Sequence, residues 1–146
     1  NYPNSGLNHF RIRKTVRIFH DVFIANPAYF NLNGQDLSFR DLKEYPILML
    51  SKKSATSEFL HSLFLQYQLE LMPEIELNSN DLLIDLARIG LGIAFIPDYC
   101  LTDHTEDLFI LRTKEIIPSR SIAVSVNESL PISASAEEFL KLLPET

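Results

Sequence analysis

A single cysteine, Cys100, stands in 146 residues, so no disulfide inside the chain can staple its fold and stability has to come from packing. The scarcity of thiols fits a reducing compartment, and a cytoplasmic location is the expectation. Glycine occurs only four times. The chain has no P-loop, no dinucleotide fingerprint and no Gly-x-Ser-x-Gly nucleophile elbow. Basic residues are outnumbered 13 to 19 by acidic ones, for a net charge of -6, which argues against nucleic-acid binding by this segment because a DNA-contacting surface needs clustered Lys and Arg. The one basic cluster, Arg11, Arg13, Lys14 and Arg17, falls where strand alternation begins and reads as a solvated strand face. No apolar run reaches membrane-spanning length and no signal peptide opens the chain, so no membrane partner is expected. His9, His20, His61 and His104 lack metal-ligand spacing and read as surface histidines, so neither metal nor cofactor is expected. No two carboxylates are paired as acid and base. Cys100, between Tyr99 and Leu101, reads as a core or partly buried thiol. An enzyme is not expected.

What the chain does have is apolar content, at 46% enough for a real core in one domain or in a fragment of a two-lobed one. Its opening, Asn1 to Gly6, is loop-like and lacks an initiating Met, so the chain is expected to begin inside a longer protein. The most informative stretch runs from Asn78 to Pro97. Ser79 can cap a helix with Asp81 in its first turn and an apolar face of Leu82, Leu83, Leu86 and Ala87. Gly90 stops that helix. Gly92 to Ile96 is then a short apolar run bounded by Gly and Pro, the pattern of a strand covered on both faces.

The remaining elements alternate in the same way. Thr15 to Ala25 is rich in β-branched and aromatic residues and predicts one or two strands, bent near His20-Asp21. Ser38 to Glu44 predicts a short helix with Leu37, Phe39 and Leu42 inward, and Pro46 to Leu50 a buried strand. After the polar loop Ser51 to Ser57, a helix capped by Thr56 or Ser57 runs to about Glu70 on a stripe of Phe59, Leu60, Leu63, Phe64 and Tyr67. Glu74 to Leu77, Leu108 to Leu111 and Ser121 to Val126 predict strands. Asp98 to Thr102 predicts a short helix, and Ser135 with Glu138 is a capping box for a last helix carrying Phe139, Leu140 and Leu143. The class is α/β, with a mixed, mostly parallel sheet flanked by helices.

This order, with Leu77-Asn78-Ser79 leading to Gly90-Leu91-Gly92-Ile93-Ala94-Phe95-Ile96-Pro97, resembles the effector-binding domain of LysR-type transcriptional regulators, of the type 2 periplasmic-binding-protein architecture. Leu37 to Leu42 followed by Tyr45-Pro46-Ile47-Leu48, Phe23 to Pro27 at a subdomain crossing, and Leu130-Pro131 to Leu143 agree with it. The resemblance implies residues 1-25 as a remnant of subdomain I with the crossover strand, 26-123 as subdomain II, and 124-146 as the return strand and closing helix. It implies a small, anionic effector in an inter-subdomain cleft, a dimer, and DNA contact only through an N-terminal domain absent from this chain. A solute-binding protein of a transport system, or an enzyme domain on the same scaffold, are the rival readings.

The positions corresponding to the effector site are Ser51, Ser54, Thr56 and Ser57 before one helix, and Asn78, Ser79 and Asn80 before the next. Helix N-termini with hydroxyl side chains attract carboxylates; the same residues also serve as plain caps. Lys52 and Lys53 are available to an anion or simply solvated. Gly90 and Gly92 would let a backbone approach a ligand, though their first job is turn geometry.

Overall fold

The computed structural model describes residues 10–101 and 105–127, with side chains over 17–101 and 105–123. In order these form β1 Phe10–Phe19, β2 Asp21–Ala25, β3 Asp36–Leu37, α1 Phe39–Leu42, β4 Ile47–Leu50, α2 Ala55–Gln66, β5 Ile75–Leu77, α3 Asn80–Arg88, β6 Ile93–Pro97, β7 Phe109–Ile110, β8 Arg112–Thr113 and β9 Arg120–Asn127. A 3-10 turn, Asp98–Cys100, follows β6 where a slightly longer helix was expected. The predicted closing helix lies outside the described residues.

Residues 20–118 form one compact unit, and residues 1–19 with 119–146 form another. In the second, β1 and β9 make an antiparallel ribbon with register shifts between Ile12 and Lys14 and between Thr15 and Arg17. The Arg120 guanidinium lies 4.9 Å from the Phe19 ring centre in this ribbon, a cation–π contact. The division falls at 19/20 and 118/119, and β2 belongs to the larger unit's sheet, pairing antiparallel with β6 and β7.

That sheet has the order β5-β4-β6-β2-β7. It is mixed as expected, but parallel in only two of its four ladders, β4 with β5 and β4 with β6. The β-strand β6 is fully buried from Ile93 to Pro97, and its alternate residues feed two cores. Ile93 and Phe95 join Phe23, Met49, Phe39, Leu60 and Phe64 on the face covered by α1 and α2. Ala94 and Ile96 join Ile24, Leu48, Leu83, Ile84 and Ala87 on the face covered by α3. Phe39 stacks on Phe64 at 4.6 Å between ring centres, tying α1 to α2. On α3 the buried stripe is Leu83, Ile84 and Ala87, while Leu82 is 44% exposed. The face is rotated from the predicted one, which Ile84 rather than Leu82 completes.

Both longer helices close with the same device. At the end of α3, Gly90 at φ +86° lets its own N–H reach the Ala87 carbonyl and the Leu91 N–H reach the Leu86 carbonyl. At the end of α2, which stops at Gln66 rather than near Glu70, Gln68 takes the left-handed position at φ 61°, and Leu69 N–H bonds the Phe64 carbonyl.

Candidate functional site

The β4 and β5 strands run parallel side by side, so the loops leaving them emerge at the same edge of the sheet. They then part to opposite faces: β4 leads into α2 and β5 leads into α3. A pair of neighbouring strands whose connections diverge in this way leaves a crevice beyond their carboxyl ends, the place where open α/β sheets hold ligands. The two loops touch there. Ser51 N–H donates to the Leu77 carbonyl at 2.8 Å, one bond past the last strand pair.

Each helix start is built by a serine. Ser54, rather than the predicted Thr56 or Ser57, is the N-cap of α2: its N–H donates to the Ser51 carbonyl at 2.9 Å and its Oγ accepts from Ser57 N–H at 3.0 Å. The helix begins earlier because the turn at Ser51 already sets Ser54 in the extended conformation a cap requires. Thr56 and Ser57 are consequently inside the first turn and buried, and the Ser57 Oγ has no hydrogen-bond partner among the described residues. Ser79 caps α3 as predicted, its Oγ accepting from Leu82 N–H at 3.2 Å. Asn78, beside it, is exposed. Asn80, named with Asn78 and Ser79 from the sequence, is the first helical residue after the capping serine, and its Oδ1 is buried without a partner among the described residues.

The candidates in the two loops, from Ser51 to Ser57 and from Asn78 to Asn80, therefore meet at one edge. Gly90 and Gly92 do not. A nine-residue helix is about 13 Å long, so α3 carries the chain from the carboxyl edge to the amino edge of the parallel strands. There Ile93 N–H donates to the Pro46 carbonyl at 2.8 Å. Both glycines are used up in packing: a Cβ on Gly92 would lie 2.5 Å from the Pro46 oxygen, and one on Gly90 would run into the Tyr29 ring. Asn26 Nδ2 holds the same corner by donating to the Arg88 carbonyl at 2.7 Å.

The carboxyl edge is electrostatically uneven. Asp21 is buried opposite Pro97 in the β2–β6 register, and Asp98 N–H bonds the His20 carbonyl. Burial raises the Cys100 thiol pKa, and the charges of Asp81, Asp21 and Asp98 raise it further. On the α2 side stand Lys52 and Lys53, both exposed. No group of three or more His, Cys, Asp or Glu among the described residues is arranged to hold a metal ion, and no helix among them is long and apolar enough to cross a membrane.

A divided sheet edge with two serine-capped helix starts is the frame of a small-ligand domain. Residues 16–146 match the LysR substrate binding domain model, and the chain belongs to that family. A search of curated proteins gives no match. Among solved structures, the CcmR regulatory domain of Synechocystis PCC6803, in complex with 2-PG, is similar at TM-score 0.76 and 20% identity over 97% of this chain and 67% of that one. The effector binding domain of QuiR, in complex with shikimate, is similar at TM-score 0.73 and 14% identity, covering 97% and 66%. HinK, a LysR family transcriptional regulator from Pseudomonas aeruginosa, is similar at 0.71 and 16%, covering 96% and 49%. The chain thus spans between about half and two thirds of the length of these three structures.

Proposed function

We propose that this chain is the effector-sensing part of a cytoplasmic LysR-type transcriptional regulator, taking a small anionic metabolite at the carboxyl edge of β4 and β5. Ser51, Ser54, Thr56 and Ser57 on one loop, with Asn78 and Ser79 on the other, are its contacts; Gly90 and Gly92 are left out of that set. The observation that carries the reading is the 2.8 Å bond from Ser51 N–H to the Leu77 carbonyl, which holds two helix N-termini beside one crevice. A cap serine satisfies one of the first-turn N–H groups, and the rest of that turn faces solvent or a ligand. Each helix has one first-turn carboxylate, Glu58 on α2 and Asp81 on α3; the anionic end of the effector belongs at α2, where Lys52 and Lys53 outweigh it, and the uncharged polar end at α3. Binding would shift the chain between conformations that differ in effector affinity and pass that difference to DNA-binding domains of the intact, dimeric regulator. The reaction chemistry of an enzyme has no support in this site, and the family assignment favours a regulator over a transport protein.

The test is a thermal-shift screen of small carboxylates, with 2-PG and shikimate included. A carboxylate that raises the melting temperature of the wild-type chain should raise it much less in Ser54→Ala and Ser79→Ala. An undiminished rise in both variants would refute this placement.

A further inference from the structure

The turn from Leu32 to Gln35 leads into β3 and is closed by Gln35 N–H donating to the Leu32 carbonyl at 3.1 Å. Asn33 and Gly34 are its central residues, and Gly34 stands at φ +86°, the left-handed setting that such a turn gives to glycine. Both are exposed. Neither the Asn33 carboxamide nor the Gly34 N–H makes a hydrogen bond among the described residues, and a Cβ on Gly34 would meet nothing within 4 Å. A side-chain amide carbon thus stands next in sequence to an unbonded backbone nitrogen with open space around it. These are the two reactants of a five-membered ring closure. Turning the Asn33–Gly34 peptide to close it gives up two hydrogen bonds at the surface, Gln35 to Leu32 and Arg112 Nη2 to the Gly34 carbonyl at 2.8 Å. Four other asparagines are less open. Asn26 donates to the Arg88 carbonyl at 2.7 Å, accepts from Ala28 N–H at 3.0 Å, and precedes Pro27, whose nitrogen has no hydrogen to lose. The nitrogen after Asn31 is taken, Leu32 N–H donating to the Phe30 carbonyl at 2.8 Å. Asn80 lies in the first turn of α3, and Asn78 precedes Ser79, whose Cβ crowds the ring.

We propose that Asn33-Gly34 is a modification site, at which the chain converts its own asparagine to aspartate and isoaspartate with water as the co-reactant. The Gly34 nitrogen, its proton lost to hydroxide, bonds Asn33 Cγ; the Cγ–Nδ2 bond breaks, and the leaving nitrogen takes a proton from water and departs as ammonia. Water then opens the resulting succinimide at either carbonyl, leaving a carboxylate. No electrons change hands. A neutral side chain becomes an anion, and opening at the main-chain carbonyl also inserts an additional carbon into the backbone. The change falls beside Arg112, which bonds the Gly34 carbonyl and pairs with Asp36 at 3.0 Å, pinning β3 to β8. Beyond β8, Glu115 accepts from Phe39 N–H at 2.9 Å at the start of α1. Deamidation therefore loosens this corner. The site goes beyond the effector reading and is independent of it, since neither residue is an effector contact.

Incubation of the full chain at mildly alkaline pH, with peptide mapping by mass spectrometry, tests the proposal. Aspartate and isoaspartate should accumulate several-fold faster at Asn33 than at Asn26, Asn31, Asn78 or Asn80, at a rate that rises with pH, and product formed in heavy-oxygen water should carry one heavy oxygen. Gly34→Ala should slow the conversion by crowding the nitrogen, and Asn33→Gln, whose ring would need a sixth member, should stop it. The converted fraction, separated by its added charge on an anion exchanger, should melt below the unconverted one. An Asn33 that converts no faster than the other four asparagines would overturn the proposal, and equal melting of the two fractions would overturn the loosening of the β3–β8 corner.

Discussion

The two edges of the central sheet are joined by one continuous stretch, Asn78 to Pro97, and they are finished in opposite ways. At the carboxyl edge, Ser54 and Ser79 cap helices and polar side-chain atoms are left in surplus: the Ser57 Oγ and Asn80 Oδ1 are buried with no partner among the described residues. At the amino edge the polar groups are matched. Pro46 accepts from Ile93, Arg88 from Asn26, and the spaces a Cβ would take at Gly90 and Gly92 are filled by Tyr29 and by Pro46 with Leu48. Surplus hydrogen-bonding capacity marks a surface with something left to bind, whereas complete matching marks a corner whose work is to hold the fold.

Mutations should separate the edges. The largest effect belongs to the amino edge. Gly92→Ala forces a methyl group against the Pro46 carbonyl, a backbone atom that cannot swing away, and should cost about 2 to 3 kcal/mol in urea unfolding while leaving carboxylate binding by folded protein intact. Ser54→Ala at the carboxyl edge should cost only about 1 kcal/mol yet abolish most of the ligand-induced thermal shift. Equal stability losses in the two variants, with binding retained in both, would erase the distinction. The two helix ends offer a finer contrast. Gln68 occupies the left-handed position that Gly90 fills without strain, so Gln68→Gly should stabilise the protein by about 0.5 to 1 kcal/mol, and a loss on that substitution would show the Gln side chain to be needed. The smallest effect concerns Asp41, which completes the capping box of α1 by accepting from Ser38 N–H at 3.1 Å. The Ser38 backbone and side-chain hydrogen bonds lower its pKa below 3.8. A depressed carboxylate stabilises the fold above its unfolded pKa and loses that contribution as pH falls through the folded value. Asp41→Asn should therefore melt slightly lower than wild type at neutral pH, and the gap should close in acid below the usual carboxylate range.

Much of this was legible in the residues. The capped α3, its stop at Gly90 and the doubly covered β6 all follow from Ser79, one left-handed glycine and an apolar run between Gly and Pro. The short α1 follows from Ser38 and Asp41 three apart. Other features were not, for physical reasons. Four hydroxyl residues between Ser51 and Ser57 are each able to cap, and only the bond from Ser54 N–H to Ser51 selects one. Leu82, Leu83, Ile84 and Leu86 make α3 apolar around most of its girth, so its buried face was set by packing on Leu48 and Ala94 and not by spacing. The strands β3 and β8 have two residues each and rest on a pairing between Asp36 and Arg112, partners far apart in sequence, reinforced by an ion pair at 3.0 Å. His61 looked like a surface residue, yet its Nε2 is buried without a partner among the described residues. The glycines were grouped with the ligand loops because sequence order does not say that a helix carries the chain across the sheet.

The central claim, that the starts of α2 and α3 serve one ligand, is tested most directly by amide NMR during titration with a carboxylate that stabilises the protein. The account predicts that the N–H signals of Ala55 to Ser57 and of Asn80 to Leu82 shift together along one binding curve, while those of Gly90 to Ile93 stay in place. Shifts centred on the Gly90 to Ile93 corner, or confined to one helix start, would contradict it.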